Sequence, residues 1–238
     1  MSFRQSAIRL SQKSKSKSTA WASRQLRDPY VKRRVADAAA YRARSAFKLL
    51  EINDDWNQFL EQPDVKAVVD LGAAPGGWSQ VVADKLAWGR GTIIAVDLLP
   101  IEPIYGVQTI KADFMVDSTT RRIRELLCNP ENPKGKADVI LSDMAANVSG
   151  NVAHDIEASL EICEAVFDFA SKNLRSAQSV GRRKGGVLLV KFFAHPLLDQ
   201  FRDERLKPNF NQVHYIKPDS SRATSREGYF LCQGWDPL

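Results

Sequence analysis

The stretch Val68-Val69-Asp70-Leu71-Gly72-Ala73-Ala74-Pro75-Gly76-Gly77-Trp78-Ser79-Gln80 constrains this chain more than any other. A short apolar run carries an acid near its end. Gly, Ala and Pro then build a turn, and a helical pattern begins. A strand that stops at a small-residue loop feeding a helix lets a ligand approach backbone N–H groups closely. In open α/β sheets, the crevice outside the carboxyl end of a strand is where ligands bind. The loop is not the G-x-G-x-x-G fingerprint: the third glycine is missing, and Pro75 sits where that motif needs a flexible turn. An ordinary strand–turn–helix connection and a nucleotide-like cofactor site are both open at this point.

The 238 residues suffice for one sizeable α/β domain with an appendage, and a hydrophobic share of 44% suits a packed core. No apolar run approaches a membrane-spanning length, so no membrane partner is expected. Cys128, Cys163 and Cys232 are few and odd in number, with no C-x-x-C. They read as small buried hydrophobes in a reducing compartment, with no metal site. Charge is regional. Residues 1–48 carry thirteen Lys and Arg against two Asp and Glu, while the remainder is net −5. A basic arm on a mildly acidic domain suggests a polyanionic partner.

Residues 1–27 hold seven Lys or Arg, seven Ser and no acid. That composition suits an organelle transit peptide and, equally, a disordered RNA-contacting arm. Mitochondrial import is the expectation, with a bacterial cytoplasm as the alternative. From residue 28 to 238 the chain reads as a single domain. Asp28-Pro29-Tyr30 opens a patterned basic segment. Arg42 and Arg44 then appear as cations fit for phosphate, ahead of an apolar helical face through Ala46, Phe47, Leu49, Leu50 and Ile52. Lys48 lies within that face, where snorkelling to solvent and a functional role are equally open.

Strands are predicted over 64–71, 92–96, 106–110, 137–141, 187–193, 213–216 and 229–232. Helices are predicted over 80–88, 155–174 and 197–206, and 176–186 reads as a basic loop. The alternation gives a doubly wound, mostly parallel sheet whose last strand runs antiparallel. Asp97, at the end of the second strand and 27 residues after Asp70, is placed to bind two ribose hydroxyls. Asp113 follows the third strand, either capping the next helix or accepting from an adenine amino group. Asp143 follows the fourth strand. Lys191 lies in the near-continuous apolar run of the fifth, which marks a central strand. A lysine there either pairs with an acid or serves as a base. Glu227 begins the last strand. Lys48, Asp143, Lys191 and Glu227 together suit proton removal from a weakly acidic hydroxyl, followed by in-line attack on an electrophile held in the crevice.

With these motifs, the chain resembles the FtsJ family of RNA ribose 2′-O-methyltransferases, in the branch modifying large-subunit ribosomal RNA in bacteria and mitochondria. The resemblance runs from about Gln25 to Gln233. It rests on Asp28-Pro29-Tyr30, Arg44-Ser45-Ala46-Phe47-Lys48-Leu49, the opening loop, Asp97-Leu98-Leu99-Pro100, Ser142-Asp143-Met144-Ala145, Val190-Lys191, and Lys217-Pro218-Asp219-Ser220-Ser221-Arg222 through Glu227. It implies a Rossmann-like methyltransferase fold and methylation of a ribose, expected on a uridine, in ribosomal RNA or a large-subunit particle, by a monomer. It implies a catalytic tetrad at Lys48, Asp143, Lys191 and Glu227, with Lys191 activating the 2′-hydroxyl. S-adenosylmethionine is implied against Gly76, Gly77 and Trp78, with Asp97 at its ribose, Asp113 at its adenine and Asp143 near its methionine moiety.

Two departures border the substrate pocket. Ala146 stands where the family usually has Pro, and Phe192-Phe193-Ala194-His195-Pro196 follows Val190-Lys191 in a region where the family often has Gln-Gly. The alternatives are the same chemistry on tRNA, or a non-catalytic RNA-binding ribosome assembly factor. A nicotinamide dehydrogenase is more distant, because the glycine spacing is wrong.

Overall fold

The computed structural model describes residues 41–86, 91–146, 151–222 and 225–237. The basic arm 1–27, Asp28-Pro29-Tyr30 and the end of the helix predicted over 80–88 lie outside the described residues. Helix α1 (Ala46–Asp55) leads into β1 (Ala67–Leu71), α2 (Gly77–Lys85), β2 (Thr92–Asp97), β3 (Val107–Lys111) and α3 (Asp117–Leu127). Then come β4 (Val139–Ser142), α4 (Val152–Asn173), the short α5 (Ala177–Val180) and β5 (Val187–Phe193). Helix α6 (Pro196–Phe201) runs on through a π-helical turn, Arg202–Leu206, into the hairpin β6 (Phe210–Ile216) and β7 (Glu227–Trp235).

The seven strands form one sheet in the order β3-β2-β1-β4-β5-β7-β6. Strands β1 to β5 pair in parallel, and β7 runs antiparallel to both β5 and β6. The order reverses between β1 and β4, so a crevice is expected beyond their carboxyl ends. The central strands are apolar because both faces are covered: all five residues of β1 and the first four of β5 are buried.

Alternation along each strand divides the packing. Val69, Leu71, Ile94, Ile140, Leu188, Val190 and Phe230 point into the main core, against α3, α4 and α6. The opposite face meets α2, where Asp70 accepts a 2.6 Å hydrogen bond from Ser79. At the other end of the sheet, the buried Asp138 accepts from the Lys66 and Ala67 amides, both at 2.8 Å, and from Arg175. Burial pushes its carboxyl up, and these donors oppose the shift. It pins the entrances of β1 and β4 together, which fixes how far their far ends project.

Apart from the ends of strands and helices, two sequence expectations change here. Cys163 and Cys232 are buried, but Cys128 is exposed: it follows the last residue of α3, beyond the buried Leu127. The basic loop 176–186 contains α5, whose first turn is capped by the Ser176 hydroxyl accepting from the Ser179 amide.

Candidate active site

The opening loop is held from three sides. Gly72 (φ +70°) and Ala73 donate to the Val96 carbonyl at 2.8 and 3.1 Å, so the loop folds over the end of β2. A side chain at Gly72 would collide with Met144. The peptide Ala74-Pro75 is cis, and Gly76 takes φ +105°, a conformation costly for any residue with a Cβ. At Gly77 a Cβ would lie 2.9 Å from that of Ala43. The loop thus needs its glycines for backbone conformation and close packing, and α2 begins at the crevice edge.

Arg42 clasps this loop from outside. Its guanidinium donates to the carbonyls of Pro75, Glu102 and Pro103, and its amide to Gln80 Oε1 at 2.8 Å. Arg44 donates to the Ser220 carbonyl at 2.8 Å. The sequence reading made both arginines phosphate ligands. The structure commits them to backbone carbonyls, which a guanidinium's five N–H donors suit well.

Asp97 sits where expected, at the end of β2 beside the loop. Its two oxygens accept from the Ala74 and Leu99 amides at 2.9 and 2.7 Å. Asp113 accepts from the Met115 amide at 2.9 Å, in a turn ahead of α3. It is not the helix cap, a position held by Val116. The Trp78 side chain is buried beneath the loop: its indole N–H donates to the Ser45 carbonyl at 2.9 Å, and its ring lies 5.7 Å from that of Tyr229. Beneath the crevice, Asp70 is 1% exposed. Burial pushes its carboxyl up to about 7; the Ser79 hydrogen bond opposes this, and the Asp143 and Asp97 charges add to it.

The four residues proposed for catalysis form two ion pairs. Lys48, in the first turn of α1, is buried rather than snorkelling, and its Nζ lies 2.6 Å from Glu227 Oε1. Lys191 Nζ lies 3.2 Å from Asp143 Oδ1 and donates to the Asp143 carbonyl at the same distance. The side chains of all four are less than one-fifth exposed. Burial alone would raise the Glu227 carboxyl, but the charge and hydrogen bond of Lys48, then the charge of Lys191, hold it below its ordinary value. Two cations and two anions make a neutral quartet. Desolvating such pairs costs several kcal/mol per ion, so they are weak stabilisers and strong candidates for function.

Tyr229 joins the pairs, and the sequence reading missed it. Its hydroxyl donates to Asp143 Oδ1 at 2.7 Å, and Lys48 Nζ lies 5.9 Å from its ring centre. Burial, then the charges of Asp143 and Glu227, raise the phenol well above its ordinary value, so it stays a neutral donor. Its spacing of two from Glu227 was the available signal, because that spacing puts both on one face of β7.

A cavity of about 610 Å³ at the β3 edge, bordered by Lys111, Arg121 and Arg122, contains none of these residues. Among the described residues no cluster of His, Cys, Asp and Glu could hold a metal, and no helix is long and apolar enough to cross a membrane.

Residues 41–235 match the family described as FtsJ-like methyltransferase. The ribosomal RNA large subunit methyltransferase E of Coxiella burnetii (strain CbuK_Q154) is 40% identical over 211 residues, covering 89% of this chain and 92% of that protein. Its namesake in Pseudomonas fluorescens is 39% identical, covering 92% of this chain and 95% of that one. A crystal structure described as a ribosomal RNA methyltransferase, from Plasmodium falciparum, aligns with a TM-score of 0.68 at 27% identity, covering 83% of this chain and 100% of its own.

Proposed function

Because the chain belongs to the FtsJ-like methyltransferase family, we propose that it transfers a methyl group from S-adenosylmethionine to a ribose 2′-hydroxyl of large-subunit ribosomal RNA, on a uridine. The observation that carries the reading is the neutral quartet of Lys48, Glu227, Lys191 and Asp143 beside the crevice that β1 opens.

The loop residues fit such a donor. Gly76 and Gly77 let the loop pack closely against Ile104 and Ala43, which sets the start of α2 at the crevice edge, where the first N–H groups of a helix suit an anionic group of a ligand. Asp97 accepts two amides, yet a carboxylate has about four lone-pair sites, so it can still take ribose hydroxyls. Asp113 is one turn beyond β3, available to an adenine amino group, and Trp78 supports the loop from below. Bound there, S-adenosylmethionine supplies a methyl group carried on a cationic sulfur.

The chain's own side chains do the rest. Lys48 and Glu227 orient the target ribose with a donor and an acceptor. Lys191 rests as a cation in the quartet, so it acts as a base only after giving a proton to solvent. The free amine then accepts the 2′-hydroxyl proton as the oxygen takes the methyl group and the methyl–sulfur bond breaks. The resulting ammonium is received by the Asp143 carboxylate and carbonyl, which already hold it at 3.2 Å. Tyr229 fixes the carboxylate's orientation through its 2.7 Å hydrogen bond. In this scheme Asp143 also stands at the methionine end of the donor.

The acid-free, Ser- and Arg-rich residues 1–27 favour work in the mitochondrial matrix, although the curated relatives named above are bacterial. We expect a monomer acting on ribosomal RNA or an assembling particle. The test is to map ribose methylation in RNA from cells lacking the protein. Loss of one 2′-O-methyl mark in large-subunit rRNA is expected. Loss of a tRNA mark with every rRNA mark intact overturns the substrate assignment.

A further inference from the structure

Phe192 and Phe193 are neighbours on β5 and face opposite sides of the sheet. Phe192 is buried, stacked parallel on Phe230 at 3.8 Å and edge-on to Tyr215 at 5.5 Å. Core packing accounts for it. Phe193 shares its face with Lys191. In the antiparallel ladder it stands opposite Glu227, as Lys191 stands opposite Tyr229. It is only partly buried, and among the described residues it has no aromatic ring partner. An aromatic ring is thus left partly in water at the end of a central strand, one strand pair away from the Lys48–Glu227 contact.

The dimensions suit a nucleotide. Alternate residues of a strand are about 6.6 Å apart along it, and directly opposed residues on paired strands bring their Cβ atoms within about 5 Å. A nucleotide whose 2′-hydroxyl meets Lys191 and whose ribose meets Glu227 carries its base about one furanose ring further on, within reach of Phe193.

We infer that Phe193 is the stacking platform for the base of the nucleotide being methylated. The inference rests on the 2′-O-methyltransferase reading. It makes Phe193 a specificity-determining residue of one kind: it selects a nucleotide whose base is unstacked from its neighbours and free to lie on the ring. Stacking tolerates all four bases, so it does not read which base is present. The substrate is then a single-stranded or splayed-out nucleotide, in preference to one paired within a helix.

The experiment is steady-state methylation of the rRNA whose modified position has been mapped, using wild type, Phe193→Leu and Phe193→Trp. Leucine keeps an apolar side chain without a π face, and tryptophan keeps the face. Phe193→Leu is expected to raise KM for RNA on the order of tenfold, with donor Kd and thermal midpoint near wild type, and Phe193→Trp to restore most of the loss. RNA carrying an abasic ribose at the target should bring wild type down to the level of Phe193→Leu, which loses little more. Equal KM for wild type and Phe193→Leu on intact RNA overturns the inference. So does an equal loss from the substitution on intact and abasic RNA, which marks a merely structural wall. If wild type methylates no rRNA ribose at all, the function reading fails and takes this inference with it.

Discussion

The two halves of the sheet present different chemistry to the same crevice. On the β1–β3 side, the groups are a glycine turn, backbone amides and isolated carboxylates, each in contact with residues nearby in the chain or on the next strand. On the β4–β5–β7 side, they are long side chains from distant segments, joined into ion pairs at 2.6 and 3.2 Å. The first half is shaped to hold a ligand. The second is built to hold charge in a dry place until a substrate arrives. On the proposed function, binding and chemistry should therefore be separable by mutation.

The sharpest test of that separation is Lys191→Ala. It should lower kcat at least a thousandfold while donor Kd, read by calorimetry, changes less than about threefold. Full activity sinks the proposed base, and lost donor binding sinks the division of labour. Next is Lys48→Met, which leaves Glu227 buried without its partner. Breaking a buried pair costs about 3–5 kcal/mol of stability, and here the remaining exposure of both side chains places the cost at the low end. We expect kcat/KM for RNA to fall about a hundredfold. A double-mutant cycle with Glu227→Gln should recover much of the stability loss but none of the activity.

Asp97→Ala probes the other half. Donor Kd should rise about tenfold, for the loss of charge-assisted hydrogen bonds, with kcat at saturating donor nearly unchanged. A collapse in kcat instead would show the halves to be coupled. The smallest effect is expected at Asp70→Asn. Its folded carboxyl titrates near 7, against 3.8 ordinarily. Between those values the folded state binds the extra proton, so this group's contribution to stability falls as pH rises from about 4 to 7 and is level above. The asparagine variant should therefore gain little at pH 4 and a few kcal/mol at most at pH 8, visible as a thermal midpoint difference that widens with pH.

The same contrast explains what could be read from the sequence. The donor half is local: Gly76, Gly77 and Asp97 sit in strand–turn patterns, and the strand read at 187–193 has those bounds in the structure. Edges were less legible. The strand expected at 229–232 runs Glu227–Trp235, because pairing with both β5 and β6 extends it beyond its apolar centre. The four charged groups of the other half were legible from their places at strand ends and in apolar runs, and family likeness gave them roles, but the Lys48–Glu227 pairing was not legible. Nothing near Lys48 announces Glu227, and Tyr229 looked like an ordinary strand residue. At Arg42 and Arg44 charge alone did not reveal that the guanidinium groups also meet carbonyls of their own chain.

The placement of β7 has a consequence for how the molecule is made. Among the strands β7 is synthesised last, yet it inserts between β5 and β6, bringing Glu227 to Lys48 and Tyr229 to Asp143. The opening loop, β1 and β2 all precede β7 in the chain, so the charge quartet closes only once β7 has paired with β5. The last strand of the chain thus closes the centre on which the proposed reaction depends.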